Sequence, residues 1–466
     1  MIHIIISQCF TDYACGSWLI YQGSQKHTGF QALRGYLDSA RTVKWTSLTH
    51  INIIAVPTVG DVNGDGLNEV LVIGSDTLFV LRGSDGSLLW KKYLGGHEGS
   101  TPAIYDIDGD DSVEIVIGKY GSVWALKGTD GNVKWSYALP GHVFNSPVIG
   151  DVNNDGYTDV VILSTWGIVG LDTSRMFVIR GDGTPIYQVD APTIALYSYA
   201  SPLLGDLNGD GYKEIITVYS DEDAGGGVAC AYDGPSGTNI WCSTMGFPLT
   251  YMGASSSPVI TDANNDGNPD VIVSEAYSNL YIFRGSDGYT LFSLSGAGRN
   301  TPASWDIDND GNREIIVPGV RAYRNGMLIW YQNLQQDWPD GIKIADVSNS
   351  SMGLEIVVSV DTGLFVLSSS GSILWRERPI TTIKNSSVAG VDGDGCSEIV
   401  VVGRGVAIID APASACGYVW VSEGITKPKK GNLRIYNILG AEVEGFKGKG
   451  VYFVKEGGRV YKVLKR

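Results

Sequence analysis

The chain has 466 residues and a formal charge of −16, from 50 acidic and 34 basic side chains. That balance argues against a general nucleic-acid binder, which needs a basic surface, and strand-like apolar runs that stop after about five to eight residues leave no transmembrane segment. With 61 Gly, 24 Tyr and 12 Trp and no helical periodicity, the composition fits an all-β protein with many turns.

The opening MIHIIISQCF has an apolar run but neither a basic stretch before it nor a small-residue cleavage site after it, so a secretory signal is either atypical or missing through a truncated start. Residues 1–50 form a lead-in that ends in the strand-like TVKWTSL around Trp45. From residue 51 to 420 one unit recurs. In its first copy AVPTVGD runs into the loop DVNGDGLNE, EVLVIGS leaves it, TLFVLRG follows, and an SDG turn leads to SLLW at Trp90. Later copies begin their loops at Asp106, Asp151, Asp206, Asp262, Asp306 and Asp346, and an eighth aligns on Gly390.

Four short strands in a unit of about 40 to 55 residues are what a propeller blade requires. The expected fold is an all-β, eight-bladed β-propeller, with seven blades as the alternative, followed by a small β C-terminal domain over 421–466. The strand at Trp45 is expected to complete the last blade, and GYVW at Trp420 also matches the outer-strand pattern. The outer-strand aromatics Trp90, Trp135, Tyr187, Trp241, Phe292, Trp330, Trp375 and Trp420 each follow a turn at the same interval, which suits packing between blades. Pro57, Pro102, Pro147, Pro202, Pro258 and Pro302 each stand four residues before their loop, and the last two units lack this proline.

The loops carry oxygen ligands at alternate positions, with no sulfur or imidazole, which points to Ca²⁺. Side chains at positions one, three, five and nine and a backbone carbonyl at position seven give six sets. They are Asp61, Asn63, Asp65, Leu67 and Glu69; Asp106, Asp108, Asp110, Ser112 and Glu114; and Asp151, Asn153, Asp155, Tyr157 and Asp159. The others are Asp206, Asn208, Asp210, Tyr212 and Glu214; Asp262, Asn264, Asp266, Asn268 and Asp270; and Asp306, Asp308, Asp310, Asn312 and Glu314. Asp111 replaces a glycine in the second loop, which strains its turn. Loop seven substitutes Ser348 and Ser350 and moves Glu355 one place later, and loop eight retains Asp392, Asp394 and Glu398. Neither is an intact loop by this pattern.

This constellation resembles the FG-GAP repeats of integrin-α-like propellers. The SDG-turn-Trp half of each unit also resembles quinoprotein-like repeats, as does the lead-in at Trp18, the Gly23 turn and His27-Thr28-Gly29. The FG-GAP resemblance implies calcium, about six sites, at the face opposite the usual ligand-binding face and with a structural role. On that other face His97, His142, Tyr197, Tyr251, Arg299 and Trp338 ring the channel and form the candidate ligand set, with His50 and Asp337 nearby. A quinone-dependent dehydrogenase is set aside, because a redox cofactor needs its own contacts in the channel and these metal loops lie at the rim.

Cys230 and Cys242 flank the DGPSG turn symmetrically and can face each other as a cross-strand disulfide; Cys396 with Cys416 and Cys9 with Cys15 are weaker pairings. After Trp420 the chain turns basic. LRIYNILGAEV, GVYFVKEGG and the terminal YKVLKR resemble the C-terminal sorting domain of type IX secretion substrates, most specifically at Ile435-Tyr436-Asn437, Gly440 and Gly450-Val451-Tyr452-Phe453. That resemblance implies export to an extracellular or outer-surface location, with the type IX machinery as a partner. The expected function is a calcium-binding module for a glycan or extracellular protein. The alternative is a polysaccharide lyase resembling the rhamnogalacturonan lyases that share calcium-binding propellers.

Overall fold

The computed structural model describes residues 41–411 apart from short loop segments, five positions before them (Lys26, Phe30, Gln31, Gly35 and Leu37), and strands between 434 and 465. Its described residues contain no helix. Eight antiparallel sheets follow one another along the chain as the blades of a propeller, and a ninth lies in the C-terminal tail.

Blade one shows the logic. Its inner strand, Thr58–Gly60, is short and fully buried. The next strand, Glu69–Gly74, is buried along its whole length, because a neighbouring blade covers each face, and so it reads as a continuous run of β-branched residues. Thr77–Arg82 follows, and the outer strand Leu88–Tyr93 alternates exposed and half-buried positions. The spacing of apolar residues thus changes from inner to outer strand because burial changes from two-sided to one-sided.

The outer aromatics fix each blade to the next by one repeated contact. The indole N–H groups of Trp90, Trp135, Trp241 and Trp330 donate to the carbonyls of Gly128, Gly181, Gly285 and Ser369 at 2.7–2.9 Å. The Tyr187 hydroxyl donates to the Gly234 carbonyl in the same way. Each ring also lies on the turn glycine of the following blade. Gly131 has φ +71°, and a Cβ there would stand 2.6 Å from the Trp90 ring. Only glycine combines that backbone with that clearance.

In the last blade this place is held by Trp45, not Trp420, which lies outside the described residues. The strand Thr42–Asn52 pairs antiparallel with the second half of Glu398–Asp410, from Thr42↔Asp410 to Ser47↔Val406, while the first half pairs with Ile383–Ala389. The N-terminal strand therefore supplies the outer edge of blade eight. The seam is apolar, with Val400, Val402, Val406 and Ile408 packed on Val59, Val70 and Val72 of blade one.

The described residues of the lead-in also do something the sequence did not announce: they bond to the inner strands of blades five, seven and eight. The Lys26 carbonyl accepts from the N–H of Ile260 in blade five. Phe30–Gln31 adds in parallel to the inner strand of blade seven, Gly341–Ala345, and the Gln31 amide donates to the Val388 carbonyl of blade eight at 2.9 Å. The N–H of Leu37 then bonds the Val347 carbonyl at 2.7 Å. Trp18, Gly23 and His27-Thr28-Gly29 lie outside the described residues.

The prolines mark a second circumferential link. Before five of the six stands Ser or Thr, Pro57 being preceded by Val56, and four of these hydroxyls accept from the preceding blade: Thr101 N to Ser146 Oγ, Ser146 N to Ser201 Oγ, Ser201 N to Ser257 Oγ and Ser257 N to Thr301 Oγ1, at 2.7–3.1 Å. This chain of bonds runs from blade two to blade six around the channel wall. Blades seven and eight, which lack the Ser/Thr-Pro step, stand where the lead-in docks.

Cys230 and Cys242 are opposite each other in register and joined by a disulfide, with Cα atoms 4.1 Å apart. Cys396 is also disulfide-bonded; Cys9, Cys15 and Cys416 fall outside the described residues. In the tail, Arg434–Asn437, Glu442–Val443, Gly450–Glu456 and Arg459–Lys465 form a separate four-stranded antiparallel sheet. Among the described residues no helix is long and apolar enough to cross a membrane.

Candidate metal centres

Each acidic loop joins the inner strand of its blade to the second strand, and it is shaped by its own side chains. In loop one Asp61 accepts from the N–H groups of Gly64 and Gly66, both at 2.7 Å, Asn63 from Asp65 N at 2.8 Å, and Asp65 from Leu67 N at 2.8 Å. These short side chains satisfy backbone donors two to five residues on, the usual reason Asp and Asn hold turns. Position six needs positive φ. Gly66 takes it freely at +87°, whereas Asp111 is held at +64° in the second loop, as its sequence implied.

The ninth-position carboxylate has a separate role. Buried at the start of the second strand, it accepts from the N–H at position two: Glu69 from Val62 at 3.1 Å, Asp159 from Val152 at 3.1 Å, Glu214 from Leu207 at 2.6 Å. Loops seven and eight keep this bond through Glu355 and Glu398. The two loops that the pattern set apart are thus built on the same buried carboxylate as the other six.

Burial away from water disfavours the ionised form of these groups. It pushes Glu69 up to about 7, Asp159 to about 6, and Asp270 and Glu314 to about 7. Glu398 is pushed well above its ordinary value. One oxygen each of Asp159, Asp270 and Glu398 is buried without a hydrogen-bond partner. Three loops bring three carboxylates within 4.8 Å of one another: Asp106, Asp108 and Glu114; Asp306, Asp308 and Glu314; and Asp392, Asp394 and Glu398. Such groups can hold a metal ion, and the orphaned buried oxygens of loops three, five and eight are hard donors that fit a divalent cation. The eighth loop joins this set although its first ligand is replaced by Gly390.

Basic side chains reach several of these loops. Lys134 Nζ lies 2.6, 3.0 and 2.9 Å from Asp108, Asp110 and Glu114. Arg324 contacts Asp308, Asp310 and Glu314 at 2.8, 2.8 and 2.6 Å. Lys44, on the closing strand, pairs with Asp392 and with Asp410, the latter at 2.9 Å. None of the three was visible as a loop residue, because each comes from a strand elsewhere in its blade.

On the opposite face, His142 exchanges two backbone hydrogen bonds with Thr165, at the far end of its blade's second strand. Its ring stacks on Phe144 at 5.2 Å and meets the edge of Tyr120 at 5.0 Å, and Phe144 lies 4.7 Å from Tyr199. Tyr120 and Tyr199 are exposed. Sequence reading missed these three partners. Phe144 and Tyr199 each stand two residues before a Ser-Pro step, the signal that could have found them. Tyr197 forms a short strand with Leu196 against Asp221 and Ser220, and His50 lies on the closing strand. His97, Tyr251, Arg299, Asp337 and Trp338 lie outside the described residues.

Comparison with known proteins agrees with this geometry. The FG-GAP-like repeat model matches residues 61–117 and 151–217, which contain the first four acidic loops, so the chain carries FG-GAP-like repeats. No curated protein matches it. Among solved structures, quinohemoprotein alcohol dehydrogenase from Comamonas testosteroni is similar at 11% identity and TM-score 0.64, over 90% of this chain and 83% of that one. The quinohemoprotein alcohol dehydrogenase from Pseudomonas putida gives 10% identity and TM-score 0.64, over 91% and 84%. BamB from Moraxella catarrhalis gives 15% identity and TM-score 0.50, over 80% and 97%. At such identities the likeness shows the eight-bladed, quinoprotein-type fold alone.

Proposed function

We propose that this chain is a calcium-stabilised propeller, working outside the cell or on its surface, that binds a glycan or an extracellular protein with the face opposite the acidic loops. The observation that carries the reading is the ring group of Tyr120, His142, Phe144 and Tyr199, which spans the mouths of blades two to four. Exposed aromatic rings beside polar loops suit recognition of sugars or peptides. The lead-in's bonds to blades five, seven and eight favour binding across this rim over binding deep in the channel.

Calcium, in about six loops, acts in this reading as a fastener. It neutralises carboxylates that burial would otherwise keep protonated, and it fixes the hairpin of each blade. The Cys230–Cys242 disulfide suits an oxidising compartment. The basic tail is the proposed address for type IX export, and removing residues 431–466 is expected to leave the protein in the periplasm.

The test is a glycan array and a pectin-lyase assay on the wild type and on Tyr120→Ala/His142→Ala. Binding by the wild type that the double variant loses, at an unchanged melting temperature, supports the reading. Release of unsaturated oligosaccharides favours the lyase alternative. An array and a surface-protein capture that both come back empty contradict a binding role.

A further inference from the structure

The acidic loops fall into two kinds. Loops one, three, four and five have Asn at position three, and its amide donates to a neighbouring carboxylate: Asn63 to Glu69 at 3.0 Å, Asn208 to Asp210 and Glu214 at 3.0 and 3.1 Å, Asn264 to Asp266 at 2.9 Å. Loops two and six have Asp108 and Asp308 at that place, and these are the two of the six that hold a basic side chain against positions three, five and nine together.

The basic groups arrive from different places. Lys134 belongs to the outer strand Val133–Ala138, and Arg324 ends the third strand Arg321–Arg324. Residues equivalent to Arg324 turn elsewhere: Arg82 bonds Ser87, and Arg284 bonds Asp287. Arg180 reaches Asp155 alone and leaves one Asp159 oxygen without a partner. Two unrelated positions thus converge on one arrangement, in which an added acid at position three is matched by an added base over the loop. The ammonium or guanidinium stands on the three side chains that a divalent ion would use.

We propose that Lys134 and Arg324 are built-in cations that close loops two and six, so that calcium first fills only the four loops with Asn at position three. This rests on the calcium reading above. An ion entering loop two has to displace three charge-assisted contacts, one of them to the buried Glu114. Blades two and six consequently keep their hairpins when calcium is removed, while the other four loops lose their counter-charge.

The experiment counts calcium per chain by native mass spectrometry across a titration of the full-length protein. The wild type is expected to reach a plateau at four ions, with further ions in loops two and six, and in loop eight where Lys44 already pairs with Asp392, requiring about tenfold higher calcium or beyond. Lys134→Gln and Arg324→Gln should each move one ion into the first plateau, and Lys134→Arg should not. Where the glutamine variants fold poorly, Asp108→Asn with Lys134→Gln copies the open loops and should also gain an ion. Six ions bound at one affinity in wild type and variants alike overturn the proposal and leave the calcium reading standing. No calcium in any of these proteins overturns both.

Discussion

The indole N–H of Trp45 donates to the carbonyl oxygen of Gly83 at 2.8 Å, and this bond joins the last blade to the first. It repeats the contact that Trp90 makes with Gly128 one blade further on, except that Trp45 comes from the N-terminal strand. The strand that carries Trp45 is itself paired with Glu398–Asp410, so the ring is closed by strands far apart in sequence, with the face-to-face packing that the other seams use. Trp45→Ala is expected to destabilise the protein by about 3–5 kcal/mol, the cost of emptying a large aromatic site. Trp45→Phe should cost less, since it keeps most of the packing and loses the hydrogen bond. Thermal melts at fixed calcium compare the two, and a Trp45→Ala variant that melts with the wild type contradicts closure at this seam.

The hydroxyl links around the channel make a second prediction. Ser146 Oγ accepts from the buried N–H of Thr101, so Ser146→Ala leaves that donor without a partner at a cost of about 1–3 kcal/mol. Ser146→Thr should retain the bond. Hydrogen exchange at Thr101 reads the change directly, and protection that survives in the alanine variant rules the link out.

A third prediction concerns pH in the chelated protein. The carboxyl groups of Glu69, Asp270 and Glu314 are pushed up to about 7, and that of Asp159 to about 6, by burial. Their folded values lie above those of the unfolded chain, so the folded state binds protons more tightly and stability falls as pH rises through that range. In excess EDTA the melting temperature is expected to be higher at pH 6 than at pH 7.5. Calcium should remove or reverse this trend, because ion and proton compete for the same oxygens. A chelated protein that is more stable at pH 7.5 than at pH 6 contradicts these directions.

Much of the fold was legible because a blade repeats local chemistry. The DxNxDG-type loops, the β-branched second strands and the aromatic after each turn all lie within one unit, and each reports its own burial. What stayed hidden was non-local. Lys134 reads as an outer-strand lysine, and only the pleat and the hairpin place it over Asp108. Closure by the strand at Trp45 was the exception: it was expected from its outer-strand pattern, and Thr42–Asn52 does pair with Glu398–Asp410. The Ser/Thr-Pro step was noticed for its proline, yet the hydroxyl before it makes the bond. Phe30–Gln31 carries no signal of docking on an inner strand, because a two-residue parallel pairing depends on the edge that blade seven presents. Of the candidate ligand residues, His142 is placed among aromatic neighbours, while the reading of Asp392, Asp394 and Glu398 as a broken loop missed their convergence.

The most direct test of the central claim, that the acidic loops are calcium fasteners and not the site of action, is a thermal melt of the full chain in saturating calcium and again in excess EDTA at pH 7.5. The account predicts a melting temperature many degrees lower in EDTA, restored by adding calcium back. Coincident melts in the two conditions would contradict it.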